Sequence, residues 1–339
     1  MNVKSYAKVG AAFGAAALGL GILAAPASAD PSTSTDYRTL AVVGSDTTQY
    51  VMNGLANGTA VVDAGGNKLM ASWNAIGGLS DPYNTKATGC SYTRAQTNGS
   101  SNGVARLSED IANGGTTCID MARSSRGPKA SVPGTDLTYV PFARDAVTYA
   151  TDLGSTVPTN LTKAQLKQIY LNCTYTNASG NTVTVAPLLP QAGSGTRQYW
   201  LDSIGFTASD TIGSCVNQNA QEHDGTAITA ANQLMPYSVA QWIAQGKSIA
   251  DVPNRRGESR LRNIDGQAPT TGSGAALALN PSFVFSRDVY NVVQTSRLNE
   301  PAVSEALADI CAASTTITTY GFGPISNCNA RNVTGGLNS

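Results

Sequence analysis

Short apolar runs alternate with helix-period segments along almost the whole chain, and glycine or small hydroxyl residues stand at the junctions. Leu40 to Val43 precede Gly44-Ser45-Asp46-Thr47-Thr48 and then QYVMNGLA, whose apolar positions fall at helical spacing. NGSSNGVARLSEDIA feeds a helix from Gly103 to Ala112, and CIDMARSS reads as a strand running into a polar turn. In LTKAQLKQIY, Thr162 and Gln165 form a capping box ahead of a helix. The strand TVTVAPLLP leads into Gly193-Ser194-Gly195-Thr196 and a helix through Trp200 to Ile204. HDGTAITAA is a further turn-to-helix junction, SVAQWIAQG a helix closed by Gly246, and PAVSEALADI another helix. This order predicts an α/β fold with substantially parallel sheets, where ligands gather at strand ends facing helix N-termini.

Two longer strands echo each other. VPFARDAVTYA (140–150) and FVFSRDVYNVV (283–293) share an aromatic residue, Arg-Asp and valine in slightly different spacing. They are expected to cross between two lobes, the second lobe lying between them in sequence; two ordinary buried strands are the alternative.

The chain has 339 residues, and its first 29 read as a secretion signal. Lys4 and Lys8 precede an apolar stretch from Val9 to Ala25, and an A-x-A site ends at Ala29. A released, secreted protein is expected, because the first cysteine is Cys90 and no lipid-attachment cysteine follows the signal. No later segment is apolar enough to span a bilayer. About 300 mature residues favour two lobes over one core. Cleavage takes 22 basic and 22 acidic residues to 20 and 22, a net charge of −2, which implies neither nucleic acid nor a polybasic membrane contact. Six cysteines in an exported chain point to three disulfides. Sequence neighbours are the expected pairs: Cys90 with Cys118, Cys173 with Cys215, and Cys311 with Cys328. There is no C-x-x-C pair and one histidine, so no metal or other cofactor is assigned. The tail from about Arg331 is rich in Gly, Asn and Ser and is expected to be loose.

Four turns, GSDTT (44–48), GSSNG (99–103), ARSSR (122–126) and GSGT (193–196), share one design. Glycine lets the backbone approach closely, hydroxyls donate hydrogen bonds, and free N–H groups at a helix start carry partial positive charge. Several such ends converging make an oxyanion site, with Arg123, Arg126 and Arg197 as charge partners. Each turn alone is ordinary helix capping. A hydrolase would use Ser194 as nucleophile and His223 as base, but its elbow is G-x-S-x-G and here glycines flank the serine directly. No spacing favours paired carboxylates for glycosidase chemistry.

In this order the segments resemble the phosphate-binding proteins of ABC importers (PstS-like), in the type II periplasmic-binding-protein superfamily. GSDTTQY, GSSNGV, IDMARSS, LTKAQLKQIY, GSGT, HDGTA, MPYSVAQWIA and the two long strands carry the likeness over nearly the whole mature chain. The resemblance implies a non-enzymatic, two-lobe monomer that closes on phosphate or a similar oxyanion, with an ABC permease as partner. It implies lobe 1 over 37–144 and 277–339, and lobe 2 over 145–276. Carried over, Thr47 or Thr48, Ser100, Ser194, Gly195 and Thr196 bind the oxyanion. Two positions depart: Ser125 stands where the family has an aspartate, and Pro190 where it has an arginine. Asp46 could take the aspartate's part and Arg197, Arg123 or Arg126 the arginine's. Without such a substitute sulfate exclusion weakens, since the family's aspartate rejects anions that bring no proton. The alternative is a secreted interaction or surface protein that keeps the fold without binding an anion.

Overall fold

A computed structural model describes residues 30–31, 36–78, 80–115 and 118–339. The expected signal over 1–29 lies outside the described residues.

The elements that matter for the site are, in chain order, β1 (Leu40–Gly44), α1 (Gln49–Asn57), β2 (Met70–Ser72), α2 (Ser100–Ala112), β3 (Met121–Ser124) and β4 (Leu137–Asp152). They continue with α3 (Lys163–Asn172), β5 (Ala186–Pro190), α4 (Gly195–Ser203), β6 (Asn217–Ala220), β7 (Gln233–Ser238), α5 (Val239–Gly246), β8 (Ser286–Gln294) and α6 (Pro301–Ala312). The main sheet runs β6-β5-β7-β4-β8-β3-β1-β2. Both ends are parallel, as the alternation of strands and helices requires: β1 pairs parallel with β2 and β3, and β5 with β6 and β7. The middle is antiparallel, where β4 meets β7 on one side and β8 on the other. The two echoing segments are therefore neighbours at the centre of the sheet, and the second begins as a strand at Ser286 rather than Phe283.

Their shared dipeptide fixes a reciprocal contact. In the antiparallel register Asp145 lies opposite Arg287 and Arg144 opposite Asp288. Side chains alternate across a strand, so the two charge pairs fall on opposite faces. Arg287–Asp145 is buried at 2.8 Å, while Arg144–Asp288, also at 2.8 Å, is partly exposed.

β1 is buried at every position, as befits a parallel strand covered on both faces. One core gathers Leu40, Val51, Met70, Phe142 and Leu307, and another gathers Tyr149, Leu166, Tyr170, Trp200 and Phe285. α5 contributes to both, with Ala240 and Ala244 in the first and Val239 in the second. The helix thus packs against both cores and joins the two halves of the molecule.

Local details follow the sequence closely at some points. The Thr162 hydroxyl accepts from Gln165 N at 3.2 Å and the Gln165 side chain accepts from Thr162 N at 2.9 Å, completing the capping box. All three expected disulfides form. A thiol titration of the unfolded, unreduced protein is expected to find no free thiol; two or more would break this scheme.

At two points the structure corrects the sequence reading. HDGTA opens no α-helix: it forms a single 3₁₀ turn, Gly225–Ala227, capped by the Asp224 carboxylate on Thr226 N. The tail is not loose either. Thr334 and Gly335 pair with β4, Ser339 is fully buried, and its carbonyl oxygen accepts from the Tyr139 hydroxyl at 2.8 Å and Arg126 Nη2 at 3.1 Å. Composition underestimated it because its anchors are main-chain groups, which composition does not report.

Candidate functional site

The second and fourth turns dock on each other. Ser101 N donates to Gly193 O at 3.1 Å, and a Cβ on Gly99, whose φ is +95°, would lie 2.7 Å from that oxygen. Only glycine fits there without strain. The junction sets the start of α2 beside the start of α4. Ser194 caps α4 through its hydroxyl, accepting from Arg197 N at 2.9 Å. Ser100 Oγ accepts from Ser125 N at 3.0 Å and lies 3.2 Å from Ser125 Oγ. Three of the four turns thus share one buried spot.

The first turn meets the same spot from the other side. Thr47 Oγ1 lies 3.1 Å from Thr196 Oγ1, although 149 residues separate them. Gln241 Nε2 on α5 donates to Thr47 O at 2.5 Å and holds the turn in place. Thr48 precedes α1, and its buried hydroxyl has no hydrogen-bond partner in the described structure.

The three arginines named from the sequence lie elsewhere. Arg123 is fully buried, donates to the main-chain oxygens of Gly44, Ser45 and Trp73 and to the Ser72 hydroxyl, and so ties β1 to β2 and β3. Arg126 reaches Gly127 O, Ser101 Oγ and Ser339 O. Arg197 turns back to Pro190 O and Gln218. The guanidinium that reaches Thr196 is Arg287, which donates to Thr196 Oγ1 at 2.8 Å, while its Nη1 has no hydrogen-bond partner among the described residues. The echo of Arg-Asp dipeptides was the signal for it, read only as a strand.

Two further residues come from the loop after β6. Glu222 is completely buried, and its Oε2 lies 3.2 Å from Thr47 Oγ1 and 3.2 Å from His223 Nε2. His223 is equally buried, so it is not the polar loop residue its neighbours suggest. Its Nε2 meets Thr47 at 3.1 Å and Glu222, whereas the Ser194 hydroxyl is engaged in capping α4; no Ser194–His223 pair forms. Asp46 stands beside them, its Oδ2 accepting from Gln221 Nε2 at 2.9 Å.

The electrostatics of this group are lopsided. Burial raises both carboxyls by disfavouring charge. Asp46 is pushed up to about 7, by burial first and then by the Glu222 charge. For Glu222 burial also acts upward, but the donors around it, His223 foremost and then Ser194 and Thr196, bring the net shift down. One carboxylate is thus held charged among the hydroxyls, and its neighbour holds a proton more readily than usual. Asp46, Glu222 and His223 offer ligand atoms that all lie within 4.8 Å of one another.

A family model described as a PBP superfamily domain matches residues 32–309. No curated protein matches the chain. Among solved structures, an ABC-type phosphate transport receptor from Vibrio cholerae is similar with a TM-score of 0.56 at 18% identity, over 84% of this chain and 100% of that one. A phosphate-binding protein from Stenotrophomonas maltophilia is similar with a TM-score of 0.51 at 12% identity, over 86% and 91%. At these identities the two structures speak to the fold, while the family match covers most of the sequence. The chain therefore belongs to the PBP superfamily and is built on its two-lobe type II architecture.

Proposed function

We propose that the protein is an exported solute-binding receptor that closes its two lobes on a small oxyanion, phosphate being the first candidate. The lobes in this reading are 37–144 with 277–339, and 145–276. The observation that carries it is the meeting of Thr47 and Thr196 at 3.1 Å, with Arg287 donating to Thr196 and keeping one buried N–H group unpartnered. A buried donor without an acceptor is costly, and an anion's oxygen satisfies it. Ser100, Ser125, Ser194 and Gly195 complete the cradle, with helix starts whose N–H groups favour negative charge. Permease docking would make it an importer's receptor; the family's receptor role also agrees with a non-enzymatic protein.

The test is calorimetric titration of phosphate-stripped protein with phosphate, repeated with sulfate as competitor. Ser194→Ala and Thr196→Ala are each expected to weaken phosphate binding by about 1–3 kcal/mol, the cost of leaving a charge-assisted hydrogen bond unmade. Unchanged affinity in both variants would remove the site. Phosphate binding indifferent to sulfate would place Asp46, or Glu222, in the part of the aspartate that Ser125 replaces.

A specific observation favours the second reading, a secreted protein that uses the fold for interaction. Glu222 already brings a carboxylate to Thr47, so this chain's own anion meets part of the cradle. Absence of binding by both anions would move that reading to first place.

A further inference from the structure

We propose that Asp46, Glu222 and His223 form a binding site for one divalent transition-metal ion, of the zinc class, in the cleft between the lobes. No cysteine spacing or sequence motif announces such a site, because Asp46 and His223 lie 177 residues apart.

Thr47 Oγ1 is 3.1 Å from Thr196 Oγ1, 3.2 Å from Glu222 Oε2 and 3.1 Å from His223 Nε2, three hydrogen bonds that use up the protons of the two hydroxyls and the ring N–H. The contact of His223 Nε2 with Glu222 Oε2 at 3.2 Å is a charge contact without hydrogen-bond geometry, so none of these protons remains for the other carboxylate oxygens. Among the described residues, Asp46 Oδ1 and Glu222 Oε1 are both buried and without a hydrogen-bond partner. Orphaned carboxylate oxygens are acceptors, and what satisfies two of them at once is a cation or a shared proton.

The ligand atoms of Asp46, Glu222 and His223 all lie within 4.8 Å of one another, and Glu222 Oε2 is 3.2 Å from His223 Nε2. Zinc bonds to nitrogen and oxygen of about 2.0–2.2 Å place neighbouring ligand atoms roughly 3.3–3.5 Å apart in a tetrahedron; the Glu222–His223 edge already has about that length, and a shift of no more than about 1.5 Å brings Asp46 to the third corner of the face. One imidazole with two carboxylates suits zinc better than the all-oxygen cations.

The loop is also braced for it. His223 has a φ of +56°, a strained value for a non-glycine residue, and its carbonyl accepts from the Tyr237 hydroxyl at 2.8 Å and from Gln245 Nε2 at 2.8 Å. Strain held by surrounding bonds is a common mark of a working site. Coordination through Nε2 moves the ring proton to Nδ1, which faces Ser238 N at 3.4 Å, so metal uptake also requires this long contact to ease. A bound cation would neutralise Glu222 and leave a coordination position for the oxyanion of the preceding section, but the metal site stands without that anion.

Tag-free protein, stripped with a chelator, is titrated with zinc alone against a chromophoric competitor. The chain has a single histidine, so the ring nitrogens of His223 can be followed by NMR without assignment ambiguity. One zinc per chain is expected, with a shift of the Nε2 resonance. Glu222→Gln and His223→Gln are each expected to weaken binding about 100-fold, with thermal unfolding as the control for folding. If His223→Gln does not fold, the near-isosteric Glu222→Gln and the histidine signal still decide. No zinc uptake, or uptake that leaves the histidine signal unmoved, overturns the proposal. A phosphate titration in the same samples separates the two readings. Phosphate binding without zinc uptake removes the metal and keeps the oxyanion, and zinc uptake without phosphate binding, at Glu222 and His223, upholds the metal and removes the oxyanion.

Discussion

Replacing Arg287 by methionine is expected to destabilise the protein by about 3–5 kcal/mol in denaturant unfolding, the range for breaking a buried ion pair by removing one partner. Asp145 is fully buried. Its Oδ2 accepts from Arg287 Nε at 3.1 Å and Nη2 at 2.8 Å, and its Oδ1 accepts from the Ser238 hydroxyl and from Ala240 N at the start of α5. Without the guanidinium, the carboxylate keeps only the donors on Oδ1, and its charge has no counterion. Adding Asp145→Asn to the Arg287→Met protein removes that stranded charge and is expected to restore part of the loss.

The neighbouring pair supplies the control. Arg144–Asp288 has the same residue types, the same strands and the same 2.8 Å separation, but Arg144 is partly exposed and the geometry falls outside hydrogen bonding. Arg144→Met is expected to change stability by no more than about 1 kcal/mol. Equal losses from the two arginines would show that burial is not what separates them, and the account of the central strands would fail.

How far the sequence reached can be judged at particular residues. The alternating elements, the capping box at Thr162 and the three disulfides were legible because each rests on local spacing or on a short list of partners. The Arg-Asp echo announced a relation between two distant strands, but not that Arg287 of the second copy would reach Thr196. That depends on the register, since a shift of one residue exchanges the faces. Arg123 was misleading in the opposite sense: an arginine beside a hydroxyl turn suggests a ligand charge, yet the carbonyls around it are main-chain atoms with no sequence signature. Glu222 and His223 were the hardest to see. They sit in a polar stretch without periodicity, and their burial comes from the meeting of the β6–β7 loop with the first turn, a contact over 175 and 176 residues. Even the helix expected after HDGTA failed for a local reason, because Asp224 caps one short turn and nothing carries it onward.

Gly195 concentrates the functional argument in one atom. A Cβ there would lie 2.2 Å from Ser100 Oγ, 2.5 Å from Ser125 Oγ and 2.9 Å from Ser100 Cβ. The hydroxyls can rotate away, but Ser100 Cβ is fixed by the helix it begins, so α4 and α2 must separate. Gly195→Ala is therefore expected to weaken phosphate binding about 5- to 150-fold, the counterpart of a penalty of about 1–3 kcal/mol for overpacking. Because Gly195 is the first residue of α4, alanine there favours the helix itself by as much as about 1 kcal/mol. Local helix stability and binding are thus expected to move in opposite directions, which a general loss of folding would not produce. Small-angle scattering of the variant with saturating phosphate is expected to give a larger radius of gyration than the liganded parent, since the added methyl stands between the start of α4 and Ser100 at the start of α2. Parent-like affinity with a parent-like radius would mean that the turns do not close at this point, and the cradle would have to be sought elsewhere in the cleft.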